Sequence, residues 1–252
     1  MSTTTDPAPA PAGAFSFQAD VNQLLHIVVH SLYSHREVFL RELVSNASDA
    51  IDKLKFRALT EPDLTGEEMN FEIRILPDRA ARTVTVEDTG VGMSHDELVK
   101  NLGTIAHSGT RAFLEKVKQQ GAGSSPNLIG EFGVGFYSTF LVADKVEVVS
   151  RAAGAAEAWC WASDAHGTFT VEPAERATRG TAVTVHLKEE YAEFVDEYRI
   201  RELIERYSDY VGHPIKLRVE KEEESRIETP GESGKRTVKS VMFNAIYMQD
   251  TL

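Results

Sequence analysis

Three polar side chains, Glu42, Asn46 and Asp49, stand among apolar neighbours in the stretch FLRELVSNASDAIDKLKF. At about 100° per residue a helix sets them within about 60° of one another, as one narrow stripe. Phe39, Leu43, Ala47, Ala50 and Leu54 occupy the adjoining arc and are expected in the core. Arg41, Ser48, Asp52 and Lys55 point the other way and are expected in solvent. A carboxylate and an amide at the edge of a buried face need hydrogen-bond partners or an ion, because burying them unpaired is costly. A metal and nucleotide site built on a helix has this form, although the same residue types at this spacing also make solvated faces.

A second carboxylate, Asp88, opens DTGVGM directly after the alternating run TVTVE, so it sits at a strand end. Held there, it can accept a hydrogen bond from an amino group on a ring such as adenine, with Gly92 and Met93 as floor. Further on, GEFGVGFYS sets Gly130, Gly133 and Gly135 before the apolar run FYSTFLVA, a glycine loop expected to lead into a helix whose amides can hold phosphate oxygens. Each signal alone is weak. A parallel βαβ unit around the glycines and a GxxxxGK followed by Ser or Thr are both lacking, which argues against Rossmann and Walker A readings.

The elements that must position these groups follow from periodicity. Residues 20 to 33 repeat apolar side chains at helical spacing, and Ser34 with Glu37 can cap a second helix. The pattern then alternates in FEIRILPD and RTVTVED, a hairpin. Later strands are expected at KVEVVSR, AEAWCWAS, GTFTVEP, GTAVTVHL and PIKLRV, with a helix from about Glu197 to Val211. This order predicts an α+β two-layer sandwich with a mainly antiparallel sheet covered by helices. Residues 88 to 143 are dense in glycine, and KQQGAGSSPN within them reads as a loop that can move as a lid. From Glu220 onward the chain is charged and turn-rich, and reads as a linker.

Composition bounds the function. In 252 residues, 39 acidic against 27 basic side chains give a formal charge of −12, which disfavours a nucleic-acid or anionic-membrane partner. The lone Cys160 rules out an intramolecular disulfide and fits a reducing compartment, so a cytoplasmic location is expected. Residues 1–15 read as a flexible leader without signal-peptide features, and no run is long enough to span a membrane. Histidines 26, 30 and 35 show no metal-ligand spacing; Trp159 and Trp161 alternate as packing residues, and Cys160 between them reads as inert. The arginines at 199, 201 and 206 suit an exposed helix face.

Taken together, the Glu42–Asn46–Asp49 helix, Asp88 with Gly90 and Gly92, and the GEFGVGFYS loop resemble the ATPase superfamily of gyrase, MutL, histidine kinases and heat-shock chaperones. FLRELVSNASDAIDKLKF, DTGVGMSHDEL, NLGTIAHSGTRAFLE, IGEFGVGFYSTFLVADKV and RGTAVTVHLKEE are similar to the nucleotide domain of the ninety-kilodalton heat-shock chaperones, in their bacterial, HtpG-like branch. The resemblance covers about residues 16 to 220 and implies a Bergerat-type ATP-binding fold using ATP or ADP with Mg²⁺. It implies that Glu42 is the general base toward the γ-phosphate, Asn46 an amide ligand of Mg²⁺, and Asp49 a lining residue acting through water. It further implies that Asp88 recognises adenine, with Thr181 in the water network beside it and Asn101 near the ribose and α-phosphate. Phe136 and the amides of Gly133, Val134 and Gly135 would meet sugar and phosphates, with residues 103–131 as the lid and 221–252 as linker and tail.

Two positions depart from the family pattern. His107 stands where Lys or Arg is common, so its phosphate contact is expected to be weak or pH-sensitive. Glu131 stands where Gln is usual and adds negative charge beside a triphosphate. Family members continue into a middle domain, which supplies an arginine to the γ-phosphate, and a dimerisation domain. The resemblance therefore implies client proteins and a homodimer for full-length members, and a monomer with slow hydrolysis for this region alone. The alternative is a module that binds nucleotide without useful turnover. A sensor kinase or gyrase-type enzyme would need a phosphoacceptor-histidine helix or a transducer domain, and neither is legible.

Overall fold

The computed structural model describes residues 35–65, 70–104, 135–164, 168–208, 210–229 and 232–247. The leader, the amphipathic segment 20–33, Ser34, and most of the glycine-rich middle, including His107, Glu131, Gly133 and Val134, lie outside the described residues.

The stripe-bearing segment is helix α1, Val38–Ala58. Its expected inner arc is largely as read: Phe39, Leu43, Ala47 and Leu54 are buried. Its outer arc is narrower than expected, because Leu40, Val44 and Ile51 form a second buried ridge that carries Ser48 inward to 2% exposure. Asp52 is also not simply solvated. Its Oδ1 lies 2.9 Å from Nε2 of the buried His213, whose Nδ1 is 3.3 Å from the Lys55 ammonium. These contacts fasten the second half of α1 to the start of a distant strand. The helix begins after Glu37 without a side-chain cap.

Eight strands form one sheet: β1 Ile73–Asp78, β2 Thr83–Asp88, β3 Ala143–Arg151, β4 Ala158–Ser163, β5 Thr170–Ala174, β6 Gly180–Leu187, β7 Ile215–Thr229 and β8 Glu232–Tyr247. Their order is β5-β4-β3-β6-β2-β1-β7-β8, antiparallel except where β7 runs parallel to β1. Alternation decides the faces. Ile73, Ile75, Val84, Val86, Val146, Val148, Val185, Ile215 and Leu217 are buried in the same core as α1. The intervening Arg74, Thr85, Glu147, Thr184 and His186 lie on the opposite, half-exposed face, where Thr85 and Thr184 share a 2.9 Å hydrogen bond. The expected α+β architecture with a mainly antiparallel sheet is thus present.

Helix α2, His95–Leu102, starts with a reciprocal cap: Ser94 N donates to Glu97 Oε2 at 2.8 Å, and Glu97 N to Ser94 Oγ. Helix α3 spans Glu197–Tyr207, capped by Asp196, and is shorter than the expected run to Val211. Val211 N instead turns back to Ser208 O, ahead of Gly212 and Pro214. The arginines of α3 pair within the helix surface, Arg201 with Glu197 at 2.8 Å and Arg199 and Arg206 with Glu202 at 2.6 Å each.

Two further expectations fail in instructive ways. FYSTFLVA is not an α-helix; Gly135–Leu141 forms a 3₁₀ turn in which Ser138 Oγ and Thr139 Oγ1 donate to the carbonyls of Gly135 and Phe136 at 2.6 and 2.8 Å. Hydroxyls that satisfy the carbonyls three residues back favour the tighter coil. The charged segment after residue 220, read as a linker, is instead strand: β7 continues to Thr229 and pairs antiparallel with β8, Thr229 opposite Glu232. A backbone ladder satisfies its own polar groups whatever the charge of the side chains.

Candidate functional site

The site forms where β2 and β3 end and β6 begins on the inner face, against α1. Asp88 is the last residue of β2 and only 6% exposed. Its Oδ1 accepts from the amides of Gly90 at 2.8 Å and Thr181 at 3.3 Å. Burial is the larger influence and pushes its carboxyl up to about 7, against those amides and the Arg176 guanidinium, which pull it down. Glycine is required around it. Gly92 has φ +63° and a Cβ there would strike the Arg151 carbonyl; Gly180 has φ +101° and a Cβ would strike the Asp88 carbonyl.

Behind Asp88, Ser150 of β3 is fully buried and accepts from Met93 N at 2.8 Å. Its hydroxyl also lies 2.8 Å from Thr181 Oγ1 and 3.2 Å from the Gly180 carbonyl. Ser150 thereby joins the DTGVGM turn to β6. The sequence reading missed it, since a lone Ser ending a strand carries no signal until the register sets it opposite Thr181.

Helix α1 supplies the other wall. Ala50 O accepts from Val91 N at 3.0 Å, and a Cβ on Gly90 would come 2.5 Å from the Ala50 carbonyl carbon, so helix and turn touch through backbone. Asp49, one residue earlier, is 1% exposed. One turn on, Lys53 lies within electrostatic reach of Asp49, Asp88 and Glu97. Its burial lowers the ammonium pKa below the usual lysine value, against the pull of those three carboxylates. Lys53 was also missed, although its i, i+4 spacing from Asp49 was a usable signal.

Toward the N-terminus of α1 the surroundings open. Asn46 is exposed, and Glu42 keeps 21% of its side-chain surface. Arg41 Nη2 holds Glu42 Oε1 at 2.7 Å. On the other side Gly135 packs so closely that a Cβ there would collide with Glu42 Oε2. The end of the glycine loop and the expected general base are therefore neighbours. Phe136, next along, is half-buried with its ring 5.5 Å from that of the buried Trp161. On α2, Asn101 Nδ2 reaches the Met93 sulfur at 3.9 Å.

The structure thus gathers Asp49, Asp88, Gly92, Met93, Asn101 and Thr181 at one end of the site, and Glu42, Asn46, Gly135 and Phe136 at the other. His107, Gly133 and Val134 lie outside the described residues. The packing residues are also as read: Trp161 is buried, Trp159 lies 4.8 Å from His95 by ring centroids, and burial raises the Cys160 thiol.

A sequence profile of the histidine kinase-, DNA gyrase B- and HSP90-like ATPases matches residues 33–190. The chain is 66% identical over 207 residues to the chaperone protein HtpG of Myxococcus xanthus, covering 82% of this chain and 32% of that one. It is 55% identical over 202 residues to HtpG of Rhodospirillum rubrum, 79% of this chain and 32% of the relative. With HtpG of Gluconobacter oxydans it shares 54% over 207 residues, 82% and 33%. The chain spans about a third of the length of the curated relatives it matches.

Proposed function

Because the chain belongs to the histidine kinase-, DNA gyrase B- and HSP90-like ATPase family, we propose that residues 16–220 act as the N-terminal ATP-binding domain of an HtpG-type molecular chaperone. The observation that carries this reading is the buried Asp88 carboxylate, fixed by two backbone amides and facing α1. A carboxylate so held accepts from the exocyclic amine of adenine while its fixed geometry rejects a ring with a carbonyl there. Thr181 and Asp49 complete the base end through water, and Asn101 lies toward the ribose. Phe136 and the Gly133–Gly135 amides take sugar and phosphates, with His107 as a weaker partner.

At the other end Glu42 withdraws a proton from a water, whose oxygen bonds to the γ-phosphorus as the bond to the ADP oxygen breaks. Asn46, one turn on, offers an amide oxygen suited to Mg²⁺, which when bound spreads the charge of the phosphates. Among the described residues no group of three or more His, Cys, Asp or Glu is arranged to hold a metal. Mg²⁺ keeps several waters and takes oxygens from substrate phosphates rather than from an all-protein cage, so a single side chain such as Asn46 would suffice to hold it there. Closure of a lid at 103–131 would exclude water and couple ATP to remodelling of client proteins in a cytoplasmic homodimer of the full-length form.

One observation favours the alternative of binding without significant turnover. Arg41 donates to Glu42 Oε1 and Gly135 packs against Oε2, so both carboxylate oxygens have protein neighbours and one must be released before Glu42 takes a proton from water. Calorimetric titration with ATP and ADP in Mg²⁺, with Asp88→Asn as control, tests the reading. Binding by the wild type and a loss of about 100-fold or more in the variant are expected; no binding by the wild type would refute it.

A further inference from the structure

Beneath the Asp88 turn, on the opposite face of the sheet, lies a charge pair that the reading above does not use. Arg176, in the connection between β5 and β6, has only 10% of its side chain exposed. Its Nη1 donates to Glu87 Oε1 at 3.0 Å and its Nη2 points at the Asp88 carbonyl at 3.4 Å. The backbone that carries it is clamped. Arg151 donates to the carbonyls of Arg176 and Ala177 at 3.2 and 2.7 Å, and to Ala155 O at 2.7 Å. Arg151 O is also the atom against which Gly92 packs. Arg176 is therefore set in place by the same strand end that floors the site.

Glu87 is the outward neighbour of Asp88 on β2. From it ion pairs run across the sheet through Arg74, at 4.0 Å, to Glu72, at 2.6 Å, and on to Lys216 at 2.5 Å. Glu72 N in turn donates to Thr89 Oγ1 at 3.1 Å, immediately after Asp88. A guanidinium held on Glu87 and the Asp88 carbonyl, and not on the Asp88 carboxylate itself, acts on that carboxylate through its field and the backbone.

We infer that Arg176 and Glu87 form a positioning pair that sets how readily the Asp88 carboxylate accepts an adenine amine. This inference rests on the ATP reading. Asp88 is faced by Arg176 and Glu87 from the strand side and lies within electrostatic reach of Lys53 on α1, which is itself in reach of Asp49 and Glu97. Arg176 favours the ionised carboxylate and Glu87 opposes it. Removing one should therefore do the reverse of removing the other, whereas a merely structural ion pair predicts the same loss from both.

The test is calorimetry of Mg²⁺-ATP with the full chain at pH 7 and pH 9. Arg176→Gln should bind about fivefold more weakly than wild type at pH 7 and equally at pH 9, where Asp88 is ionised in both. Glu87→Gln should bind no more weakly at pH 7, and Arg176→Lys should restore most of the pH 7 affinity. Equal weakening at both pH values, no change in Arg176→Gln, or the same loss in Glu87→Gln would overturn the inference. If Arg176→Gln fails to fold, the Glu87→Gln and Arg176→Lys results decide it. A wild type that does not bind ATP at either pH refutes the ATP reading itself, and this inference with it.

Discussion

The two carboxylates at the ends of the site live in opposite surroundings. Asp88 is 6% exposed and its Oδ1 is held by two main-chain amides. Glu42 retains 21% of its side-chain surface, is held by the neighbouring Arg41, and meets the glycine loop through a side-chain oxygen. Backbone sets the surroundings of Asp88, where Gly92, Gly180 and Ala50 leave no slack, and a side-chain ion pair sets those of Glu42. A site that recognises a rigid ring needs fixed donors and acceptors. The role proposed for Glu42, activation of a water, needs a group able to move into place when ligand arrives.

The largest break in this comparison should come from Glu42→Ala. Turnover is expected to fall by about 100-fold or more while the calorimetric ATP affinity stays within about twofold, because the role proposed for this carboxylate lies in the reaction and not in the binding. If affinity falls as far as rate, the two ends are not separable.

The glycines sharpen the contrast. Gly92→Ala sets a side chain against backbone at a left-handed φ and should cost about 2 kcal/mol or more, read as a fall in the urea midpoint. Gly135→Ala meets the far end of the Glu42 side chain, which can swing aside. It should lower stability by less than about 1 kcal/mol yet slow hydrolysis several-fold. Equal melting of the two variants would mean that the phosphate end is as rigid as the base end.

A change of pH tests the same contrast without a substitution. The folded Asp88 carboxyl stands at about 7, above its usual value, so its contribution to stability is complete below the usual carboxylate range and is lost as pH rises through 7. Glu72 and Glu147, held below the usual value by Lys216 and Arg74 and by Lys145 and His186, contribute in the opposite sense. Their stabilisation is present above that range and lost in acid. Between pH 6 and 8 the unliganded protein should therefore become less stable as pH rises, by differential scanning calorimetry. ATP affinity should rise about tenfold over the same interval as Asp88 ionises. Affinity that falls or stays flat would place the base-binding charge elsewhere.

Much of this was legible from particular residues. Period-two runs ending in Asp88 and beginning at Gly180 located β2 and β6, and the 3.6-residue stripe located α1. Ser48 and Asp52 misled because helical angle measures only one buried side, and α1 is enclosed by both the sheet and neighbouring turns. The hairpin β7–β8 was hidden by composition: charged side chains suggested a linker, while the Pro230-Gly231 pair between the two segments was the better signal. The Gly135–Leu141 turn was overread as an α-helix because apolar content says nothing of hydroxyls that bond three residues back.

By itself the sequence determined which residue types were available and how they repeat, because side-chain direction along a helix or strand follows from local backbone geometry alone. It could thus set Glu42, Asn46 and Asp49 on one stripe and Asp88 at a strand end, while their joining into one nucleotide-binding set came from the resemblance of the motifs to the ATPase family. Only the tertiary structure decided what surrounds them. The register of β3 on β6 brought Ser150 to Thr181, and the β5–β6 connection carried Arg176 to Glu87, across separations of 31 and 89 residues. Desolvation and charge depend on distance through space, and no local pattern along the chain encodes that distance.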